Sequence, residues 1–459
     1  MRVMQVELAV VGFGKGGKTL VGALAKAGRR VALIEQSDEM YGGTCINIAC
    51  VPTKALVYQS EHPDERVDRA AWFEEAARKK TALVEAMRAK NFELFDSPET
   101  STVITGRARF TGPHTLMVTA GGDELEIRAE TIVINTGSTP VVPPMPGLAG
   151  NPRVVTSTGM LAATERPKEL VVLGGGYVGV EFASMQAAFG TRVTLIQRGG
   201  QLLPAEDPDI AAAMEALLTD AGVRVLTGAT VERVDDADAG RASVTYRTRS
   251  GETATAHGDV VLAALGRRPV TKGLGLAEAG IRVGSRGEVI VDRHLRTSLP
   301  HVFAIGDVNG GPQFTYISLD DYRIVLDQLT GSGTRSVDDR RHVPHVVFTT
   351  PPLARVGMTE AEARATGRPL RTAVREVADM ATVPRAKIVG DPRGVMKAIV
   401  DAGTDEVLGV TVLAHDAHET VNTLAVALRL GATASLLRDG IYTHPSMTEA
   451  FNDLFAHLA

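Results

Sequence analysis

The chain is 459 residues long, with 22% charged and 44% hydrophobic residues. This is enough for about three globular domains of roughly 100–200 residues and excludes a disordered chain. Its 49 Lys and Arg against 54 Asp and Glu give a net charge of −5, which excludes a global basic field for nucleic acid or anionic membranes. No apolar run approaches the ~20 residues that span a bilayer, and no signal-peptide pattern is present. We therefore expect a cytosolic protein with no nucleic-acid or membrane partner.

The sequence contains two stretches that look like copies of one another. Each passes from an apolar run into a glycine turn, then through an Ala-rich helical stretch and into a second apolar strand. The turns have the pattern G-x-G-x-x-G, with Gly12, Gly14 and Gly17 in the first copy and Gly174, Gly176 and Gly179 in the second. A single such pattern is weak evidence. Two in the same strand–helix–strand context predict two dinucleotide-binding sites, in which the backbone approaches a pyrophosphate.

The second strand of each copy ends at a polar residue, which is Glu35 in the first copy and Gln197 in the second. The two residues follow the first glycine of their turns at the same sequence separation. A carboxylate at this position accepts hydrogen bonds from an adenosine ribose. It would repel a 2′-phosphate, whereas neutral Gln197 followed by Arg198 would not, and Arg pairs well with phosphate. The second site is therefore predicted to favour NADPH over NADH, the alternative being that Arg198 is a solvated surface residue.

The chain has only two cysteines, Cys45 and Cys50, which excludes a disulfide framework and a four-cysteine zinc site. They lie in the stretch GGTCINIACVPTK, and the residues after Cys50 have a helical pattern. A cysteine near a helix N-terminus is more acidic, because the helix dipole favours the thiolate. The pair is interpreted as redox-active, with two buried structural thiols as the alternative.

These features identify a family resemblance over essentially the whole chain. The chain resembles the class I pyridine nucleotide–disulfide oxidoreductases, which include glutathione reductase, dihydrolipoamide dehydrogenase and mercuric reductase. The similarity rests on both glycine turns, the cysteine stretch, Thr136-Gly137, the segments 264–269 and 303–307, and the C-terminal His444-Pro445-x-x-x-Glu449.

The resemblance implies an α/β fold with two Rossmann-like dinucleotide-binding domains, for FAD and NAD(P), and a C-terminal α+β dimerisation domain. We place the first part of the FAD-binding domain at residues 1–148 and the NAD(P)-binding domain at 149–267. The second FAD-binding and central part follows at 268–338, and the dimerisation domain at 339–459. A homodimer is implied.

The resemblance also implies a set of cofactor-binding residues. These are Gly12, Gly14, Gly17, Glu35, Gly43, Thr44, Thr136, Gly137, Gly174, Gly176, Tyr177, Gly179, Gln197, Arg198, Gly266, Gly306 and Asp307. Glu35 would bind the FAD ribose, Asp307 would lie near the ribityl chain, and Tyr177 would be displaced when nicotinamide binds.

The implied catalytic residues are Cys45, Cys50, Lys54, Glu181, His444 and Glu449. Cys50 would be the charge-transfer thiol facing the flavin, and Cys45 the interchange thiol that meets the substrate. Lys54 and Glu181 would pair near the flavin. His444, supported by Glu449, would be the acid/base for the disulfide of the partner subunit, since His titrates near neutral pH.

Within the family, the densest similarity is to copper(II) reductases of reactive-chlorine resistance, over Gln313–Arg323 and in several shorter segments. The expected function is electron transfer from NAD(P)H through FAD and the dithiol to an acceptor, copper(II) in stress defence. A reductase of a low-molecular-weight disulfide, of the glutathione or mycothiol type, is the alternative enzyme. Mercuric reductase is disfavoured because no second cysteine pair follows Cys50.

A non-enzymatic flavin- or metal-binding protein is a further alternative. The pairs His342/His345 and His415/His418 have spacings that could bind a metal, but two histidines are weak evidence. We expect no metal site. The acidic run 235–238 is predicted to be a solvated hairpin turn.

Overall fold

The computed structural model describes residues 2–96, 99–237 and 240–459. The chain divides into two compact units, each assembled from separate segments. Unit 1 comprises Met1–Ala55, Ala76–Val141 and Gly266–Arg340, and unit 2 comprises Leu56–Glu75, Val142–Leu265 and Arg341–Ala459.

The described residues form both strands and helices. The strands are β1 (Arg2–Val11), β2 (Val31–Glu35), β3 (Ser101–Thr105), β4 (Arg107–Gly112), β5 (Thr115–Ala120), β6 (Asp123–Ile134), β7 (Ser138–Pro140), β8 (Val154–Val155), β9 (Glu169–Leu173), β10 (Arg192–Gln197), β11 (Arg224–Thr227), β12 (Thr230–Ala237), β13 (Arg241–Arg247), β14 (Thr253–Gly258), β15 (Val260–Ala263), β16 (Arg267–Pro269), β17 (Val302–Ala304), β18 (His345–Val347), β19 (Leu353–Gly357), β20 (Leu370–Glu376), β21 (Val395–Asp401) and β22 (Val407–Leu413). The helices are α1 (Lys15–Lys26), α2 (Thr44–Asn47), α3 (Cys50–Glu61), α4 (Arg69–Asp96), α5 (Ser157–Ala162), α6 (Tyr177–Ala188), α7 (Pro208–Asp220), α8 (Thr315–Thr330), α9 (Glu360–Ala365), α10 (Pro384–Ile388), α11 (Ala417–Arg429), α12 (Ala434–Arg438) and α13 (Ala450–Ala456).

Unit 1 is built on a seven-stranded sheet in the order β3-β2-β1-β6-β5-β4, with β17 also pairing with β6. The strands β3, β2, β1, β6 and β17 pair in parallel, whereas β4 and β5 form an antiparallel extension. Strand β2 is buried along its length, as expected for a parallel sheet covered on both faces. This arrangement is the one that places a ligand at the carboxyl ends of the strands.

Unit 2 contains a second parallel sheet, in the order β11-β10-β9-β15-β8, and a three-stranded antiparallel sheet, β12-β13-β14. Its C-terminal part is a five-stranded antiparallel sheet, β18-β19-β22-β21-β20. Strands β21 and β22 are buried at every position, and the apolar faces of α11 and α13 share their core. This part therefore has a hydrophobic core of its own and no glycine turn.

The acidic run at the end of β12 departs from the prediction. Asp235 and Asp236 pair with Ser243 and Ala242 of β13, so they belong to the ladder and the prediction of a turn is wrong for both. Asp238 lies outside the described residues. Strand pairing overrides the turn propensity of Asp here, because the outward-facing positions of a hairpin tolerate charge.

Candidate active site

The first glycine turn joins β1 to α1 and leaves no room for side chains. Gly12 has a φ of +104°, and a Cβ there would lie 2.3 Å from the backbone oxygen of Asn135. A Cβ on Gly14 would lie 2.5 Å from Asn135 Oδ1, and one on Gly17 would lie 2.6 Å from a Val10 methyl group. Helix α1 follows Gly14, which has no side chain of its own to cap the helix. This is the geometry in which helix N-termini bind phosphate groups.

Asn135, at the end of β6, holds this turn in place. Its buried side chain accepts a hydrogen bond from the Gly17 amide at 3.0 Å and donates one to the Ile305 carbonyl at 2.9 Å. The sequence analysis missed this residue. The available signal was a polar residue at the carboxyl end of a buried strand, directly before Thr136-Gly137.

Glu35, at the end of β2, binds the backbone of the first turn. Its Oε2 accepts a hydrogen bond from the Phe13 amide at 3.0 Å, and its Oε1 accepts one from the Gln36 amide at 2.8 Å. Burial raises the pKa of Glu35, and the amide of Phe13 partly offsets this effect. The carboxylate therefore lies beside the glycine turn, where the sequence predicted a ribose-binding group.

A second glycine-rich segment packs against the first turn. Gly43 has a φ of +78°, and a Cβ on it would lie 2.7 Å from the Gly14 Cα atom. A Cβ on Gly137 would lie 3.6 Å from the Thr44 hydroxyl oxygen. The Thr136 hydroxyl donates to a backbone carbonyl 2.6 Å away. Unit 1 thus gathers four residues predicted to bind cofactor around the first turn.

Gly306 and Asp307 follow β17 and are fixed by hydrogen bonds. The Gly306 amide, at a φ of +71°, donates to Asp321 Oδ2 at 2.6 Å. Asp307 Oδ2 accepts a hydrogen bond from Ser138 at 2.6 Å, and Ser138 Oγ in turn accepts one from Arg267 Nε at 2.9 Å. Asp307 is therefore held rigidly at the carboxyl edge of the parallel strands.

Two helices begin at the cysteine pair. Helix α3 starts at Cys50 itself, and α8 starts at Thr315, whose hydroxyl oxygen lies 3.4 Å from Cys50 Sγ. The positive ends of both helix dipoles favour a thiolate at this sulfur. A hydrogen bond to Cys50, reinforced by burial, raises the pKa of Cys45. The sequence predicted the helix at Cys50 but not the contribution of Thr315.

A buried lysine lies near the pair. Lys18 Nζ donates to Asn91 Oδ1 at 2.6 Å and to the Gly42 carbonyl at 3.3 Å. Burial lowers the pKa of Lys18 to about 8, with a further contribution from Lys15, while the charge of Cys45 opposes the shift. These hydrogen bonds direct the ammonium group of Lys18 to Asn91 and Gly42.

The second glycine turn repeats the geometry of the first. Gly174 has a φ of +105°, and a Cβ there would lie 2.5 Å from the Ala264 carbonyl oxygen. A Cβ on Gly179 would lie 1.8 Å from the Gly174 oxygen, whereas among the described residues, apart from its chain neighbours, no atom lies within 4 Å of a Cβ on Gly176. Helix α6 follows Gly176 without a side-chain cap. The turn therefore has the open backbone surface that a pyrophosphate needs.

Gln197 occupies the same place in the second turn as Glu35 in the first. Its Oε1 accepts a hydrogen bond from the amide of Gly175 at 3.0 Å, and Gly175 follows the first glycine just as Phe13 does. Arg198 is exposed, and no hydrogen bond or ion pair found in the described part of the chain involves its guanidinium group. Gly266, in unit 1, has a φ of +111°, and a Cβ there would meet open space among the described residues beyond its chain neighbours.

Tyr177 begins α6 and is held by a buried carboxylate that the sequence analysis did not identify. Its hydroxyl donates to Glu206 Oε1 at 2.8 Å. Glu206 Oε2 accepts a hydrogen bond from Arg355 Nε at 2.8 Å, and His345 Nε2 lies 3.4 Å from Oε1. Burial, with the Glu206 charge, raises the pKa of Tyr177.

The other predicted catalytic residues lie on helices and on a C-terminal loop. Lys54 is on α3 in unit 1, and Glu181 is a buried residue of α6 in unit 2. Glu181 Oε1 accepts a hydrogen bond from the Phe348 amide at 2.8 Å. Their predicted pairing stays a prediction.

His444 and Glu449, which the family resemblance implies to be an acid/base pair, lie in hydrogen-bond contact. His444 Nδ1 lies 2.9 Å from Glu449 Oε2, and the other carboxylate oxygen accepts a hydrogen bond from the Ser446 amide at 3.0 Å. The His444 side chain is 69% exposed, whereas that of Glu449 is 13% exposed. The carboxylate fixes the imidazole while leaving Nε2 free to exchange a proton.

One histidine of each pair contacts a neighbouring carboxylate. His345 contacts Glu206, and His415 Nε2 lies 3.3 Å from Asp416 Oδ1. Within the described residues, no group of three or more His, Cys, Asp or Glu side chains could hold a metal ion.

Comparison with known proteins identifies the family. Residues 6–321 match the pyridine nucleotide-disulphide oxidoreductase family, and residues 343–455 match its dimerisation domain. The chain belongs to the pyridine nucleotide-disulphide oxidoreductases. The predicted α/β fold with a C-terminal dimerisation domain is thereby confirmed.

Several members of this family are similar over nearly their full length. The chain is 48% identical to the probable pyridine nucleotide-disulfide oxidoreductase RclA of Escherichia coli, over 98% of each chain. It is 33% identical to a mercuric reductase of Streptomyces lividans, over 97% of this chain and 94% of the relative. It also matches the solved structure described as the Cu(II) complex of the HOCl-induced flavoprotein disulfide reductase RclA from E. coli, with a TM-score of 0.93, 47% identity and coverage of 98% and 99%.

Family membership makes the chain an oxidoreductase that uses FAD and NAD(P)H. The two glycine turns fit these cofactors, because each offers a backbone cradle that a Cβ would fill and a polar side chain at the end of the next strand. Within the described residues, no helix combines the length and apolar character needed to cross a membrane.

Proposed function

We propose that this chain is a homodimeric, FAD-dependent NADPH oxidoreductase whose Cys45–Cys50 pair delivers electrons to copper(II). The observation that carries the proposal is the position of Cys50, where α3 begins and where the first residue of α8, Thr315, contacts the sulfur. Helix N-termini that meet at one of two adjacent sulfurs favour a stable thiolate, which a redox-active dithiol requires.

Unit 1 would bind FAD at the first glycine turn. Gly12, Gly14 and Gly17 would present backbone to the pyrophosphate, Glu35 would accept the ribose hydroxyls, and Asp307 would bind the ribityl chain. Bound FAD would supply two-electron transfer between the nicotinamide and the dithiol. Lys54 and Glu181 would form an ion pair at the flavin.

The second glycine turn would bind NADPH. Gln197 adds no negative charge beside the 2′-phosphate, and Arg198 has an exposed guanidinium group that can pair with it. Tyr177 would cover the nicotinamide site until the coenzyme enters.

The dithiol would release its electrons one at a time. Reduction by NADPH and one proton converts the disulfide into two thiols and yields NADP+. The two thiols then reduce two copper(II) ions to copper(I), reform the S–S bond and release two protons. The net reaction converts NADPH and two copper(II) ions into NADP+, two copper(I) ions and one proton.

His444 would accept a proton from the cysteines and donate one to them. The chain has a dimerisation domain, and His444 lies within it. We propose that two copies form a symmetric homodimer in which His444 of one subunit serves the cysteine pair of the other. Glu449 would hold the imidazole in the required tautomer and stabilise its charged form.

Copper(II) is proposed as the acceptor because the chain shares 47% of its residues with a flavoprotein solved as a Cu(II) complex. The chain has no cysteine after Cys50, and therefore no C-terminal pair to receive mercury. We also propose a cytosolic location, because a dithiol that must be re-reduced by a coenzyme suits a reducing compartment.

The proposal is tested by an anaerobic acceptor screen that follows NADPH oxidation. Purified FAD-loaded protein is given copper(II), with a copper(I)-specific chelator as the readout, or glutathione or mycothiol disulfide. We expect copper(I) formation with two copper ions per NADPH, and loss of this activity in Cys45→Ser. Turnover with a disulfide but not with copper would contradict the copper assignment and support the alternative enzyme.

A further inference from the structure

A buried carboxylate in unit 2 contacts Tyr177 and two further side chains that have no role in the proposed reaction. The side chain of Glu206 is 1% exposed, and it contacts Tyr177, Arg355 and His345. The rings of Tyr177 and His345 are also nearly parallel, with centroids 6.1 Å apart and an interplanar angle of 28°. Such a network is costly to bury unless every member is satisfied.

Glu206 is held in its ionised form by these partners. Burial by itself raises the pKa of Glu206, but the contact with His345 and the hydrogen bond and charge of Arg355 outweigh that effect and hold the pKa below its usual range. Arg355 is on β19 and His345 is on β18, so the carboxylate is anchored to the C-terminal sheet of unit 2. The hydrogen bond from Tyr177 connects the carboxylate to the second glycine turn.

We infer that Glu206 is a latch for Tyr177, a positioning residue that holds the phenol over the nicotinamide site until coenzyme binds. The inference rests on the proposed role of Tyr177 as the side chain that nicotinamide displaces. Tyr177 must break its hydrogen bond to Glu206 in order to move. Arg355 and His345 keep Glu206 paired after that bond breaks, so movement of the tyrosine leaves no isolated buried charge.

The latch weakens the binding of the nicotinamide half of the coenzyme and does not affect the binding of the adenosine half. The adenosine half binds at the glycine turn and at Gln197, and its binding does not require Tyr177 to move. Weakening the latch should therefore strengthen binding of NADP+ without changing the affinity for 2′-phospho-ADP-ribose, which is the same nucleotide without nicotinamide.

The test is calorimetric titration of the oxidised, FAD-loaded protein with these two ligands. Tyr177→Phe retains the ring and removes the hydroxyl. We expect it to lower the dissociation constant of NADP+ about tenfold, because one hydrogen bond to a charged acceptor no longer has to break. The dissociation constant of 2′-phospho-ADP-ribose should stay within about twofold of that of the original protein. Tyr246→Phe is the matched control, because it removes another hydroxyl in unit 2, one that accepts a hydrogen bond from Arg224 at 3.4 Å.

A double-mutant cycle tests whether the change in NADP+ affinity arises from the hydrogen bond between Tyr177 and Glu206. Glu206→Gln removes the charge and should also tighten NADP+ binding, and adding it to Tyr177→Phe should give no further gain. The latch proposal would be overturned by equal gains in affinity for both ligands, by no gain in NADP+ affinity in Tyr177→Phe, or by additive gains in the double variant. If the original protein binds neither NADP+ nor NAD+, the proposed function itself fails.

Discussion

Glu35 and Gln197 occupy equivalent positions in the two dinucleotide-binding turns, and they differ by one charge. Each accepts a hydrogen bond from the amide that follows the first glycine, at 3.0 Å in both cases. The side chain at this position is therefore oriented by the turn, and its charge is free to select the ribose substituent. Arg198, which follows Gln197, is exposed.

We predict that Arg198→Ala selectively weakens the use of NADPH. A charge-assisted hydrogen bond to the 2′-phosphate is worth about 1.5–3 kcal/mol, so the Michaelis constant for NADPH should rise about tenfold or more. The Michaelis constant for NADH should change less than about twofold, because NADH has no 2′-phosphate. Steady-state kinetics with both coenzymes measures this. Equal effects on the two would show that Arg198 does not contact the phosphate.

At the scale of the elements, the first dinucleotide site depends on a side chain that links three of them. Asn135, at the end of β6, binds the first turn of α1 through Gly17 and the end of β17 through Ile305. A buried amide that satisfies two backbone groups fixes the turn in the shape that the cofactor requires.

We predict that Asn135→Ala weakens FAD binding. The substitution leaves the Gly17 amide and the Ile305 carbonyl without this partner, at a cost of about 1–3 kcal/mol, and part of that cost should appear as an FAD dissociation constant raised about tenfold. Fluorescence titration of the apoprotein with FAD measures this. Asn452→Ala is the control, because that amide also donates to two backbone carbonyls, those of Arg438 and Gly440. Equal losses of FAD affinity in the two variants would contradict the role of Asn135.

The elements that sequence reasoning could predict are those whose signal is local. Both glycine turns, the helix that begins at Cys50 and the polar residues that close β2 and β10 follow from short patterns. The contacts of Asn135 with Gly17, Cys50 with Thr315, and Glu206 with Arg355 join residues 118, 265 and 149 positions apart. Nothing in a local pattern indicates such pairs, because the topology of the folded chain brings them together.

At the scale of the whole molecule, the proposal requires two subunits for each complete site. His444 is 69% exposed, and exposed apolar side chains accompany it in the C-terminal region, including Leu430, Leu436 and Ile441. An exposed apolar surface in a domain of the dimerisation family is suited to an isologous interface.

We predict that two inactive variants restore activity when their subunits are mixed. His444→Ala and Cys45→Ser subunits should form a heterodimer with one complete site and one site that lacks both groups. Activity with the acceptor should return to about half of the original per heterodimer, measured after subunit exchange. Exchange without recovery would show that His444 does not act on the partner's cysteines.

The central claim is that electrons from NADPH pass to Cys45 and Cys50 before those electrons reach the acceptor. Anaerobic titration of the FAD-loaded protein with NADPH, followed by absorbance, tests it most directly. With the first equivalent, the original protein should develop a long-wavelength charge-transfer band from the Cys50 thiolate and retain most of its oxidised flavin absorbance. Cys50→Ser should instead lose flavin absorbance without the band. A band that persists in Cys50→Ser, or its absence from the original protein, would contradict the account.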